Sequence, residues 1–197
     1  MKHQNVSSRL IDNTIAVIAT EGLEKTTTKA IVSGTDINEA YIYRFFKDKE
    51  ELLAKTFDFL DDELVAKGMQ HLPVMYMQNL DYETRCRMFF MSMWKFLLGN
   101  KNRCLAYIRY YYSPLFHKFS IEKHEKRYLP FLQKFKVAFK PEANVWMLLK
   151  HILNVMFDFA IKVFEGEISD SDDTAEHIFR LAYFSVKPYF IDKKENS

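Results

Sequence analysis

Residues that interrupt an α-helix are scarce in this chain and lie far apart. The 197 residues include five Gly and five Pro, and long apolar stretches lie between them. In the stretch 142–165, a stripe of apolar residues repeats at helical spacing and is widened by Leu149, Met156 and Ala160. The stripe consists of Val145, Leu148, Ile152, Val155, Phe159 and Val163. Few breakers and long stripes of helical period predict an all-α fold.

The composition and the cysteines narrow the class of protein. Because 48% of the residues are apolar, the chain can bury a sizeable core. Cys86 and Cys104 form no CxxC pair, which suits a reducing compartment. The N-terminus shows no apolar signal-peptide segment, and no apolar run reaches the length of a membrane span. We therefore expect a cytoplasmic protein with no membrane partner.

Apolar spacing and capping residues together predict nine helices. Gly22 is a C-cap signal for the first helix, and Thr27 and Asn38 are N-cap candidates for the second and third. Asp48 can cap the fourth. The predicted helices span residues 8–21, 27–34, 38–46, 48–68, 82–98, 102–112, 121–138, 142–165 and 173–190. We expect the 142–165 stripe to pack against the last helix, and a second face of both to meet a twofold copy.

The stretch "SGTDINEAYIYRFFKDKEELL", residues 33–53, contains a tight link between two short helices, those predicted at 27–34 and 38–46. On a helical wheel, Ile42 and Phe46 share one side of the second of them, and Tyr43 and Arg44 lie opposite. Asp36 is expected to adopt the left-handed backbone that the link requires, since Asp tolerates it better than most residues. This arrangement predicts a helix-turn-helix, whose second helix lies in the DNA major groove.

Residues 9–60 resemble the DNA-binding domain of the TetR (tetracycline-repressor-like) family of bacterial regulators. "RLIDNTIAVIATEGLEKTTTKAI" is similar to the first two helices of that family, and "DINEAYIYRFFKDKEELL" to its recognition helix. The signature positions are Tyr43, Phe46, Lys49, Glu50 and Leu52. The resemblance implies a DNA-binding domain at 1–50 and a helical domain at 51–197 that binds a ligand and dimerises. It further implies a repressor that leaves a double-stranded operator when a small-molecule effector binds.

The resemblance and the local chemistry together select the DNA-binding candidates. Tyr43 resembles the phosphate-contacting tyrosine of the family, and Lys49 can offer a cation at a helix N-terminus. Thr27 and Thr28 can cap the second helix, donate to phosphate, or do both. The remaining candidates lie on the recognition helix, at its start, or on the helix before it. Which of them contacts a base is left open. They are Lys29, Asn38, Glu39, Ala40, Tyr41 and Arg44.

Aromatic and Met side chains are frequent between residues 86 and 160, and such side chains suit adaptable apolar pockets. An ordinary helical core explains each of them equally well, and it is the resemblance that favours a cavity. The ligand-binding candidates are Met88, Trp94, Tyr107, Tyr111, Phe131 and Phe157.

Enzymes and metal proteins are the main alternatives to a regulator. No nucleophile with a base, carboxylate pair or metal-ligand cluster is recognisable, so we expect no enzyme activity, no cofactor and no metal. The six His are scattered, and Cys86 and Cys104 are expected to be buried apolar residues rather than a redox switch. A helical interaction module, or a small all-helical enzyme without a DNA role, is the alternative function.

Overall fold

The computed structural model describes residues 2–191, with side chains from residue 6 onward. Within that range the chain is helical, and its β-structure is limited to a single antiparallel bridge between Phe139 and Phe190. The all-α prediction is therefore confirmed. The helices are α1 (Lys2–Glu21), α2 (Thr28–Val32), α3 (Ala40–Phe45), α4 (Lys49–His71), α5 (Tyr82–Leu98), α6 (Lys101–Tyr111), α7 (Pro114–Phe119), α8 (Ile121–Phe135), α9 (Val145–Glu165) and α10 (Asp172–Val186).

Several helices differ from their predicted extents: α1 begins at Lys2 instead of residue 8, and α10 ends at Val186 instead of residue 190. α4 continues past Gly68 to His71, and the missing side chain at Gly68 leaves room for the ring of Phe131, which a Cβ would meet at 3.2 Å. α7 was not predicted, since Ser113-Pro114 was interpreted as a break between helices. Pro114 instead occupies the first helical turn, where its fixed φ is already suitable for a helix.

The first of two compact units comprises the chain up to Leu64 together with Asn100–Arg127. Its helix-turn-helix part is built on six buried apolar side chains: Leu10, Ile31, Ile37, Ile42, Phe46 and Leu52. A second group surrounds the buried ring of Phe57, which stacks on Tyr110 at 4.9 Å and meets Phe116 edge-on at 5.4 Å. α1 packs along α6 in this unit.

The second compact unit comprises Val65–Gly99 and the chain from Tyr128 onward. Here α5, α9 and α10 pack against one another. The buried side of α9 consists of Val145, Leu149, Met156, Phe157 and Ala160. The predicted packing stripe of α9 is offset from this side: Leu148, Ile152, Val155 and Phe159 are only half-buried. The side that is buried within the chain contains the three residues that were predicted to widen the stripe, Leu149, Met156 and Ala160.

No helix within residues 2–191 combines the length and apolar character needed to cross a membrane.

Candidate nucleic-acid interface

The turn before the recognition helix takes its shape from Gly34. Gly34 has a φ of +72°, which lies in the left-handed region. Between residues 23 and 165, it is the one residue with a positive φ. The prediction that Asp36 adopts this backbone is therefore wrong: a glycine two positions earlier adopts it without steric cost. The Thr35 hydroxyl donates to the carbonyl of Val32 at 2.8 Å and accepts from the amide of Ile37 at 3.1 Å, which stabilises the turn.

Asp36 instead forms an ion pair with Arg9 of α1, and both nitrogens Nη1 and Nη2 of Arg9 donate to its carboxylate. Hydrogen bonding from Arg9 lowers the pKa of Asp36, and the same pair raises the pKa of Arg9. This contact joins α1 to the turn and pairs the negative charge of Asp36 with a cation.

The recognition helix α3 has two distinct faces, as the wheel predicted. Ile42 is fully buried and Phe46 nearly so, whereas Tyr43 is 59% exposed and Ala40 and Arg44 are exposed. Since Ile42 fixes one face in the core, the phenol of Tyr43 and the guanidinium of Arg44 are held outward. Both groups can donate hydrogen bonds to phosphate oxygens or base edges.

Tyr41 lies beside Arg44 on α3 and contacts its guanidinium. Its ring stacks on Phe45 with centroids 6.4 Å apart, and the guanidinium carbon of Arg44 lies 6.0 Å from the Tyr41 centroid. A cation over an exposed aromatic ring is held by about 0.5–1 kcal/mol, which favours one placement of the Arg44 head group.

Asn38 and Glu39 lie at the start of α3 and differ in role. The Asn38 side chain accepts from the amide of Ala40 at 2.8 Å, although the N-cap position predicted for Asn38 falls one residue later. Glu39 is the N-cap residue by position but makes no side-chain capping bond and is half-buried.

The start of α4 explains the charged run "KDKEEL". Asp48 accepts from the amide of Glu51 at 2.8 Å, and the Glu51 carboxylate accepts from the amide of Lys47 at 2.6 Å. Two amides that the helix leaves without partners are satisfied in this way. Lys49 is the first residue of α4 and half-buried, while Leu52 is fully buried in the core.

The candidates on α2 are arranged around its N-terminus. The Thr27 hydroxyl accepts from the amide of Ala30 at 3.0 Å, so the predicted cap is confirmed. Thr28 is half-buried in the first turn, and Lys29 is exposed. Together with Tyr43 and Arg44, these residues give the helix-turn-helix exposed hydrogen-bond donors of positive or neutral character.

The ligand-binding candidates fall into the two compact units. Tyr107 and Tyr111 belong to the first, where their rings stack at 5.9 Å. The other four belong to the second: Trp94, Phe131 and Phe157 are buried, and Met88 is exposed. Phe131 stacks on Phe135 at 5.4 Å, and Trp94 on Phe90 at 6.4 Å.

A buried ionic network in the first unit was not predicted from the sequence. The Asp61 carboxylate is fully buried and accepts from the Tyr107 hydroxyl at 3.1 Å and from Arg127 Nη1 at 2.5 Å, and His124 Nδ1 lies 3.0 Å away. Burial disfavours the charge of Arg127, but its hydrogen bonds to Asp61 and Asp62 leave its pKa above the ordinary value. The sequence did carry a signal for it, because α4 contains the acids Asp58, Asp61 and Asp62, and residues 123–127 contain three bases.

In the described range, no three His, Cys, Asp or Glu side chains are grouped closely enough to hold a metal ion.

Comparison with known proteins agrees with this geometry. Residues 10–56 match the family model described as bacterial regulatory proteins of the tetR family. No curated protein matches the chain.

Solved structures share the fold over nearly the whole chain. A TetR family transcription regulator from Marinobacter aquaeolei VT8 matches with a TM-score of 0.76 and 16% identity, covering 94% of this chain and 98% of that one. A TetR-family transcriptional regulator from Haemophilus influenzae RD matches with a TM-score of 0.68 and 19% identity, covering 93% and 97%. A TetR-like transcriptional regulator from Rhodococcus sp. RHA1 matches with a TM-score of 0.62 and 16% identity, covering 91% and 94%. Residues 10–56 thus match the N-terminal domain of the tetR family, and the fold of the chain is the one that these solved TetR-family regulators share.

Proposed function

We propose that this chain is a transcriptional regulator that binds an operator in double-stranded DNA as a homodimer. α3 enters the major groove, and a small-molecule effector releases the protein, which makes it a repressor. Residues 1–50 supply the DNA contacts, and residues 51–197 supply dimerisation and effector binding. Because the chromosome is the target, the proposal places the protein in the cytoplasm and gives it no enzymatic role.

One observation carries this proposal: α3 is fixed by Ile42 and Phe46 while Tyr41, Tyr43 and Arg44 remain exposed on its other sides. A surface helix that only covered a core would have no need of two phenols and a guanidinium facing outward. The charge balance of residues 1–49 is close to neutral, with seven Lys or Arg and six Asp or Glu. The pairing of Asp36 with Arg9 removes one acid from this balance, but it also occupies one base. Binding therefore depends on a few placed donors more than on a broad basic surface.

Tyr43 and Lys49 are proposed as phosphate contacts, and Thr27, Thr28 and Lys29 as further contacts from α2. Phosphate contacts position a protein on DNA without carrying sequence information. Base reading is left to Asn38, Glu39, Ala40, Tyr41 and Arg44, where an arginine suits guanine and an alanine methyl suits thymine.

The test is DNA binding by fluorescence anisotropy over a series of salt concentrations. The duplexes are an operator recovered from genomic fragments that the protein retains and a scrambled duplex. Tyr43→Phe and Lys49→Ala are expected to weaken binding to both duplexes, and Lys49→Ala to lower the salt slope by about one unit per site. Lys55→Ala is the matched control, because Lys55 is an exposed lysine further along α4. Unchanged affinity and slope in both interface variants would remove these residues from the interface.

A further inference from the structure

A cleft of about 270 Å³ lies in the second compact unit, at the end of α4 and the start of α5. One wall is the 3-10 turn Leu72–Tyr76, which follows α4. Another is the end of α8 and the turn after it, where the Tyr76 hydroxyl donates to the carbonyl of Lys134 at 2.7 Å. Ile191 closes one side, held by the hydrogen bond from its amide to the carbonyl of Ala138 at 3.2 Å. The cleft thus has a defined backbone frame on three sides.

Arg85 is the unusual residue in this cleft, because it is a charged residue with only 5% of its surface exposed. Nη1 donates to the carbonyl of Met75 at 2.8 Å and Nε to that of Asp81 at 3.4 Å. No carboxylate oxygen of a described residue lies within 4.0 Å of it. A buried guanidinium ordinarily has an anionic partner, and this one retains donors that two carbonyls do not use.

Tyr82 provides a second polar group without an ordinary partner. Its hydroxyl is buried and makes no hydrogen bond to a described residue, although the weakly accepting thiol of Cys86 is a near neighbour. Its ring lies 5.0 Å from the Arg85 guanidinium carbon. Burial raises the pKa of Tyr82, so the phenol keeps its proton.

The other residues that line the cleft indicate which kind of ligand it can bind. Lys134 adds a second cation, and neither Asp nor Glu is among the residues that line the cleft. Most of the other lining side chains are apolar: Leu72, Met75, Phe135, Val137, Ala138 and Ile191. Val137 and Ile191 are also 62% and 48% exposed, so apolar surface continues to the mouth.

We propose that this cleft binds a small organic acid, whose carboxylate pairs with Arg85 and whose apolar chain lies on Leu72, Met75 and Phe135. An arginine presents two parallel N–H groups that match a carboxylate. The apolar walls favour a chain over a compact, strongly hydrated anion, and the volume suits about ten non-hydrogen atoms. The proposal concerns ligand binding by the second unit alone and does not depend on DNA binding.

The test is isothermal titration calorimetry of the full chain at pH 7.5 with octanoate, kept below its micelle concentration. Saturable binding at one site per chain is expected. Octanol, which has the same chain without the charge, and inorganic phosphate, which has charge without the chain, are each expected to bind about tenfold more weakly or not at all.

Variants locate the site. Arg85→Met is expected to lower octanoate affinity at least about tenfold. Arg85→Lys is expected to lower it by less, because lysine keeps the positive charge but loses the two parallel N–H groups. Arg87→Met is the matched control on the same helix, since Arg87 is exposed and pairs with Glu176 at 2.5 Å. If Arg85→Met does not fold by circular dichroism, Ala138→Phe, which fills the cleft, is expected to lower the affinity in its place.

Three results would overturn the proposal. One is the absence of saturable octanoate binding to the folded chain. Another is equal affinity for octanol or phosphate. The third is unchanged affinity in a folded Arg85→Met or Ala138→Phe variant. Since DNA is absent from the experiment, any of these leaves the regulator proposal to its own test.

Discussion

The guanidinium of Arg109, on α6, donates a 2.6 Å hydrogen bond to the backbone carbonyl of Ile18, in the last turn of α1. The same carbonyl also accepts from the amide of Gly22 at 3.1 Å, so Arg109 adds a second, charge-assisted hydrogen bond at the C-terminus of α1. Arg103, two turns earlier on α6, pairs with Asp12 of α1 at 3.5 Å and also with Glu63 of α4. α1 therefore belongs to one compact unit with α6, and this unit extends beyond the first 50 residues.

Arg109→Met should lower the free energy of unfolding by about 1–2 kcal/mol, because it removes a charge-assisted hydrogen bond that joins α6 to the end of α1. The measurement is urea denaturation followed by circular dichroism. Lys126→Met, at an exposed position of α8, is the control and should stay within about 0.5 kcal/mol of the native chain. Equal stability of the two variants would mean that the Arg109 bond contributes nothing.

Asp61→Asn should destabilise the protein by about 3 kcal/mol. The substitution leaves Arg127 and His124 facing a neutral amide at a position that is fully buried, and breaking a buried pair costs more than breaking an exposed one. Asp62→Asn removes the neighbouring carboxylate, which is 65% exposed and pairs with the same arginine, and should cost less than about 1 kcal/mol. Denaturant unfolding of the two variants side by side decides whether burial sets the difference. Similar losses in both would contradict it.

Cys86 and Cys104 should react slowly with a thiol reagent in the native protein. Burial raises the pKa of each thiol to about 12, so at pH 8 the reactive thiolate fraction is on the order of 10⁻⁴. Both should react rapidly in denaturant, where the ordinary pKa returns. The check is the rate of absorbance change with a disulfide reagent at pH 8, with and without urea. Fast reaction of a native thiol would reopen the redox switch that the sequence left as an alternative.

The sequence predicted helices well because each one buries an apolar stripe whose period it must match. α5 has its predicted bounds, and the Asp81 side chain that starts it accepts from the amide of Thr84 at 2.9 Å. The two faces of α3 were also predictable, since Ile42 and Phe46 are the apolar pair at helical spacing.

What the sequence left open depends on contacts between distant residues. Asp36 and Gly34 both suit a left-handed turn, and only the fold shows that Asp36 is drawn to Arg9, 27 residues away. α9 is apolar on more than one side, so the sequence pattern could not predict which side packs against other helices of the same chain. The Asp61 network and Arg85 were missed for the same reason. A charged residue on an amphipathic helix is predicted to be exposed to solvent unless its partner is known.

Tyr111→Ala should change the response to an effector while leaving the affinity of the ligand-free protein for DNA nearly intact. Tyr111 is half-buried on α6, and no contact of its ring involves α2 or α3. An effector can act only through different affinities for DNA-competent and DNA-incompetent states, a coupling of about 5- to 150-fold in such systems. The measurement is DNA affinity with and without a compound found by thermal-shift screening. If Tyr111→Ala abolishes DNA binding while the fold survives, Tyr111 serves the DNA-binding state and not the effector.

Homodimer formation should depend on the exposed apolar surface of α9 and α10. Met147 on α9 and Leu181 and Phe184 on α10 are 65%, 58% and 51% exposed, and the half-buried side of α9 adds Ile152 and Phe159. Contiguous apolar surface of this kind marks an interaction site, and a twofold axis would let the same two helices of each copy meet.

Leu181→Glu should therefore convert the dimer to a monomer at micromolar concentration, because it places a charge in the centre of that interface. Leu129→Glu, at a 52% exposed leucine of α8, should leave the dimer intact. Sedimentation equilibrium distinguishes the 23.5 kDa chain from twice that mass. A monomer also loses the paired recognition helices that must reach half-sites one helical turn apart, so its operator affinity should fall with it. A folded Leu181→Glu variant that stays dimeric would place the interface on another surface.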